Sequence, residues 1–127
     1  MRKQLQYLLI ALLTFTIGVA VAYSYRLYQY QWGELAWREA RLHHELFYTR
    51  SLIDQYAADK GELPQSLEDI VNAGYCRKVP YDFITDKREW RVVIAPDPAT
   101  LNGSQGIIDV HSTSPAISSE GTPYSEW

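Results

Sequence analysis

The stretch that decides the fold is LLIALLTFTIGVAVAY at residues 8–23, in which almost every side chain is apolar. No charged residue occurs between Lys3 and Arg26, and about 20 apolar residues in a helix are enough to cross the hydrocarbon core of a bilayer. No proline precedes Pro64, so nothing forces a break in the helix. We therefore expect a transmembrane segment over residues 1–25.

The helical pattern continues beyond this segment into a helical stem, residues 26–59. Residues spaced by three and four form one stripe along a helix, and only Glu39 and Thr49 break its apolar character. Lys60 in the last turn and Gly61 after it predict the end of the helix. The stripe consists of Val21, Tyr25, Tyr28, Trp32, Leu35, Glu39, Leu42, Leu46, Thr49, Ile53 and Tyr56.

The remaining residues, 60–127, are enough for one small head. Ser66 is suited to cap a short helix over residues 67–73, which Gly74 ends. The segments WRVVIA (residues 90–95) and GIIDVH (residues 106–111) are rich in strand-forming residues and predict an antiparallel pair, joined by a polar connection. The predicted fold class is α+β, and we expect the stem stripe to complete the core of the head.

Composition and motifs argue against several functions. The net charge of −3 comes from mixed signs, which does not favour nucleic acid as a partner. Cys76 is the only cysteine, so an internal disulfide is excluded. His43 and His44 are adjacent on the helix and point about 100° apart, so they cannot jointly hold one metal ion. With no catalytic motif, we expect neither an enzyme nor a small-molecule substrate, and no required cofactor.

Residues 112–127 are rich in serine and proline and predict a loop, here called the tail, which the rings of Tyr124 and Trp127 pin to the head. The tail offers many oxygen atoms in few residues, and calcium binds six to eight oxygen ligands. We therefore consider a calcium site there.

Two readings of the N-terminal segment remain open. Arg2 and Lys3 precede the apolar stretch, which places the N-terminus in the cytoplasm and the head across the membrane. Residues 20–22 (AVA) instead fit a signal-peptidase site that would release a soluble chain beginning at Tyr23. Retention is favoured because the stem continues the helix in the same register.

Taken together, these residues resemble the G-type pseudopilins of type II secretion systems, within the type IV pilin-like superfamily. The resemblance covers residues 45–127. It is carried by LIDQY (52–56), DKG (59–61), LPQSL (63–67), GY (74–75), KVPYDF (78–83), IDVHS (108–112) and GTPYSEW (121–127).

The resemblance implies a single-pass protein of the bacterial inner membrane whose processed helix packs with other pilin-like subunits, itself or minor pseudopilins, and with inner-membrane secretion proteins. The head would lie in the periplasm, in a filament for protein export. The family's calcium site lies in the tail, and Ser112 and Glu120 are the candidate ligands here. The N-terminus departs from the family, since no glycine precedes Gly18 and no acidic residue precedes Glu34.

We therefore expect a structural pseudopilin-like subunit. Its interface with other helices comprises Val21, Tyr25, Tyr28, Trp32 and Leu35, which lie too far from the head to be covered by it. The alternative is an unprocessed, membrane-tethered periplasmic binding module that uses the same head outside a filament.

Overall fold

A computed structural model of the chain describes residues 1–98 and 104–127. The elements are α1 (Arg2–Lys60), α2 (Leu67–Asn72), β1 (Arg91–Pro96), β2 (Gln105–His111) and a 3₁₀ turn (Tyr124–Glu126). The predicted α+β fold is confirmed, with a long N-terminal helix, a short helix and a two-stranded antiparallel sheet. Asn102 and Gly103, which belong to the predicted polar connection, lie outside the described residues.

The helix ends follow the predicted signals. Gly61 has φ +72°, a conformation that favours glycine, and its N–H donates to the Ala57 carbonyl at 2.9 Å. Ser66 caps α2 by accepting from the Asp69 N–H, and the Asp69 carboxylate accepts from the Ser66 N–H in return.

The chain divides into two compact units, Met1–Ala36 and Trp37–Trp127. In the first, every side chain is exposed except that of Leu35, which is partly covered. In the second, the rest of α1 carries the head. The core of this head unit contains Leu42, Leu46, Leu52, Ile53, Leu67, Ile70, Trp90, Ile107, Val110 and Tyr124, so the expectation that the stem stripe completes the core is confirmed.

The sheet contains one irregularity. Val93 pairs with Asp109 and Ile94 pairs with Ile107, so Ile108 bulges from β2. Beside the bulge, Gly106 has no room for a side chain, since a Cβ there would lie 2.4 Å from the Leu63 Cβ. Leu63, in the segment before α2, therefore packs closely against β2 at this glycine.

Candidate assembly surface and tail anchor

The unit Met1–Ala36 presents an apolar helix whose serine and threonine hydroxyls bond to the helix backbone. The hydroxyl of Thr14 donates to Ala11 O at 2.9 Å, Thr16 to Leu13 O at 2.8 Å, and Ser24 to Ala20 O at 2.9 Å. The apolar window has a mean hydropathy of 2.1 and none of it is buried. By length and composition, this helix is able to cross a membrane. A signal sequence, or the core helix of a soluble protein, can have the same length and composition.

The predicted interface residues lie along this helix. Val21, Tyr25, Tyr28 and Trp32 are exposed, and Leu35 is partly covered. The rings of Tyr28 and Trp32 lie 5.8 Å apart at a tilt of 59°. The Tyr25 hydroxyl accepts from Gln29 Nε2 at 2.8 Å. The stripe therefore presents aromatic rings that are free to pack against another apolar surface.

The two polar positions in the stripe, Glu39 and Thr49, are buried together with Leu42, Leu46 and Ile53, and Tyr56 at the end of the stripe is partly buried. Thr49 donates its hydroxyl to the Glu45 carbonyl at 2.6 Å, which satisfies it within the helix. Glu39 is only 6% exposed, and its carboxylate accepts hydrogen bonds from residues of the tail. Glu39 and Thr49 thus interrupt the apolar character of the stripe, as the sequence predicts, without interrupting its burial.

The Glu39 carboxylate anchors the tail. Its Oε1 accepts from the Ser119 N–H at 2.7 Å and from the Tyr124 hydroxyl at 2.6 Å, and its Oε2 accepts from the Ser119 hydroxyl. Burial alone would raise the pKa of Glu39, but the bonds from Ser119 and Tyr124, with the nearby His43 imidazole, hold that pKa below its ordinary value. Burial and the Glu39 carboxylate raise the pKa of the Tyr124 hydroxyl well above its usual range. Tyr124 therefore stays a neutral donor.

A second anchor involves Ser112, one of the two candidate calcium ligands. Its buried hydroxyl donates to Asp82 Oδ2 at 2.6 Å, while Asp82 Oδ1 accepts from the backbone N–H of Ile84 at 2.8 Å. Asp82 is itself fully buried, and sequence reasoning gave it no role. Through these two bonds, Asp82 connects Ser112, which directly follows β2, to the turn that precedes β1.

Glu120, the other candidate ligand, is exposed, and its N–H donates to the Ser118 hydroxyl at 3.3 Å. Within residues 1–98 and 104–127, no three His, Cys, Asp or Glu side chains are grouped so that they could hold a metal ion. The calcium site stays a prediction.

Arg50 makes the third anchor. Its Nε donates to Asp109 Oδ1 at 2.6 Å, and its Nη2 donates to the main-chain oxygens of Val110 and Trp127, each at 3.0 Å. The Trp127 ring stacks on His43 with the ring centres 4.0 Å apart. The prediction that Tyr124 and Trp127 pin the tail to the head is confirmed. The tail is held by side chains of α1 and by Asp82.

The head also contains an open cleft of about 290 Å³. Its apolar lining comes from Leu67, Val79, Trp90, Val92 and Ile107, and Glu68, Arg88 and Glu89 stand around it. The Arg88 guanidinium is directed to the Val79 carbonyl and lies over the Tyr81 ring. The cleft had no signal in the sequence, since its lining comes from four separate segments.

Comparison with protein-family models, with curated proteins and with solved structures finds no match to this chain.

Proposed function

We propose that the protein is a membrane-anchored structural subunit, similar to a pseudopilin, that assembles with other pilin-like subunits through the apolar face of α1. In this proposal residues 1–25 span the bacterial inner membrane and residues 60–127 lie in the periplasm. Inner-membrane secretion proteins would be further partners, and the assembled filament would serve protein export.

The observation that carries the proposal is the difference between the two halves of α1. From Glu39 onward the stripe is covered by the head, whereas Val21, Tyr25, Tyr28 and Trp32 are exposed in the same register. Exposing such rings to water is unfavourable, by about 25 cal/mol per Å² of apolar surface. Lipid would cover the part of this face that lies within residues 1–25. A neighbouring helix would cover the part around Tyr28 and Trp32.

The orientation follows from the charges that flank the apolar window. Arg2 and Lys3 stand before it and favour the cytoplasmic side, and the tyrosines at positions 23, 25, 28 and 30 with Trp32 suit the opposite interface. The helix runs through residues 20–22 and on into the stem, a continuation that a cleavable signal does not need. This continuity supports a retained anchor over a soluble form that begins at Tyr23.

The absence of an acidic residue between residues 4 and 33 bears on how subunits would align. In the family that this chain resembles, a glutamate near the start of the mature helix sets the assembly register, because a carboxylate in lipid needs a partner. Here the aromatic residues of the stripe would set the register instead, through ring packing.

The experiment is to replace Tyr28 and Trp32 together by serine in the full chain. We expect the complexes extracted from the native membrane to become smaller, while the hydrogen exchange of the backbone amides in the head is unchanged. The matched control is Tyr30→Ser, because Tyr30 is at least as exposed as Tyr28 and Trp32 but lies on the opposite side of α1. Complexes of unchanged size would contradict the proposal, and so would loss of the head's structure.

The cleft in the head favours the second candidate, a tethered binding module that acts as a single chain. A cleft of about 290 Å³ is near the lower limit for small-ligand sites. The mass of the protein from its membrane separates the candidates. An intact Met1 on a chain without neighbours supports the module, a start at Tyr23 supports the soluble form, and a shortened, methylated terminus ahead of the apolar stretch supports the pseudopilin.

A further inference from the structure

We propose that the open edge of β1 pairs with an edge strand from the head of a different pilin-like subunit, anchored in the same membrane. This proposal rests on the assembly proposed above and names the surface through which two heads meet.

The outer edge of β2 is bonded within the chain itself. The Ile107 N–H donates to the Pro64 carbonyl at 2.8 Å, and the Val110 carbonyl accepts from Arg50 Nη2 at 3.0 Å. These backbone groups therefore point away from β1. In an antiparallel pair, that places Ile107 and Val110 at the positions that do not bond to the neighbouring strand.

The residues of β1 opposite these two form the open edge of the sheet. Val92 pairs with Val110 and Ile94 pairs with Ile107, so the N–H and C=O groups of Val92 and Ile94 also point away from the neighbouring strand. Within residues 1–98 and 104–127, no hydrogen bond reaches these four groups. Water or another chain must satisfy them.

The open edge is also apolar. Residues 92–95 (VVIA) carry no charge, and Arg91 and Pro96, which discourage strand pairing, stand only at the ends of β1. Val92 is 37% exposed and Ile94 is 58% exposed, although they project to the face of the sheet that is buried on β2. An uncovered apolar edge of this kind favours association with another strand.

The backbone pattern defines the chemistry of the occupant. An extended polypeptide presents a donor and an acceptor at every second residue, which matches the spacing of Val92 and Ile94. Main-chain bonds would supply the affinity, and apolar side chains at alternate positions of the added strand would cover the two exposed side chains.

A second copy of this chain does not fit the edge in a shared membrane. A symmetric antiparallel pair of β1 strands has its two-fold axis perpendicular to the sheet. The stripe of α1 packs on the face of this sheet, so the axis would reverse the helix and the chain would enter the two heads from opposite sides. Anchors in one membrane require the same side. A different subunit is free of this symmetry.

Proline substitution tests whether the edge is open, because proline has no backbone N–H. Ile94→Pro should keep the protection of the β2 amides against hydrogen exchange in the full chain in detergent, since the lost N–H points outward. The matched control Val93→Pro should lose it, since the Val93 N–H is directed at β2. In the native chain, the amides of Val92 and Ile94 should exchange faster than those of Val93 and Ala95. Equal exchange at all four amides would overturn the inference.

Photochemical cross-linking in the native membrane tests the occupant, with a benzophenone amino acid at position 92 of the full chain. We expect an adduct with a different membrane-anchored protein, joined at an extended segment of its head. Adding Ile94→Pro should lower the yield by about tenfold, which corresponds to about 1.4 kcal/mol, whereas the matched control Ile94→Val keeps the N–H and should not change it.

Three results would overturn this inference, namely an adduct between two copies of this chain, no adduct, or an adduct whose yield is the same in Ile94→Pro. Chains carrying Trp32→Cys and Cys76→Ser report assembly through α1 separately. If position 32 still links to neighbouring subunits when position 92 does not, the proposed function stands without this contact. Failure at both positions overturns both proposals.

Discussion

The replacement of Glu39 by glutamine tests the tail anchor most sharply. The carboxylate accepts three hydrogen bonds, two from Ser119 and one from Tyr124. Glutamine keeps one acceptor oxygen and the shape of the side chain, but it removes the charge and turns the second oxygen into a donor. The Ser119 hydroxyl then faces an amide group that cannot accept its proton.

The magnitude follows from those bonds. Hydrogen bonds to a charged group contribute about 1.5–3 kcal/mol, roughly twice the value of neutral ones. The variant loses one such bond and weakens the other two, so we expect its free energy of unfolding to fall by about 2 kcal/mol. For a head of this size, that corresponds to a melting temperature lower by about 10 °C.

The assay is thermal unfolding of the full chain in detergent, combined with hydrogen exchange of the tail amides. We expect faster exchange around Ser119 and Tyr124 in Glu39→Gln. The matched control is Asp54→Asn, because Asp54 is exposed on α1, and loss of its charge should change stability by less than about 0.5 kcal/mol. Equal melting temperatures and equal tail exchange in Glu39→Gln and the native chain would refute the anchor.

Further predictions concern pH, packing and the second anchor. The pKa of Glu39 is lowered on folding, so its stabilising contribution is present above its unfolded value of about 4.5 and is lost as the pH falls through the folded pKa, a loss that acid titration of Glu39→Gln should not show. Gly106→Ala should lower the free energy of unfolding by about 1–3 kcal/mol in denaturant titrations, and Gly33→Ala, with nothing within 4 Å, should not. Ser112→Ala should cost about 1–3 kcal/mol by the same titration, because Asp82 Oδ2 loses its donor. A calcium chelator tests the predicted calcium site, because a bound ion stabilises the folded chain: the melting temperature should then fall on chelation, and an unchanged melting temperature would rule the site out.

Local signals predicted most of the fold. Ser66 and Gly61 mark helix ends through their own backbone and side-chain chemistry, which depends only on near neighbours. The strands also followed from composition, with β1 at Arg91–Pro96 and β2 at Gln105–His111, each within one residue of the prediction. These features need no information from distant parts of the chain.

The anchors could not be predicted in the same way, because their partners are far apart in sequence. Glu39 meets Ser119 across 80 residues, and Asp82 meets Ser112 across 30. Periodicity places Glu39 on the buried face but cannot say which donor will satisfy it. A carboxylate in an otherwise apolar stripe was nevertheless a usable signal, since a buried charge requires partners.

The bulge at Ile108 was also beyond the sequence pattern. The segment WRVVIA is, apart from Arg91, a run of apolar residues and gives no sign of an irregular partner strand. The bulge lies beside Gly106, against which Leu63 packs, and a contact between residues so far apart in sequence cannot be read from the pattern of one strand.

The central claim is that copies of this chain pack through the exposed stripe of α1. Cross-linking in the native membrane tests it directly, with Trp32→Cys compared to Tyr30→Cys on a background of Cys76→Ser. The account predicts efficient linkage between copies at position 32 and little at position 30, on the opposite side of the helix. Equal linkage at both positions, or none at position 32, would contradict it.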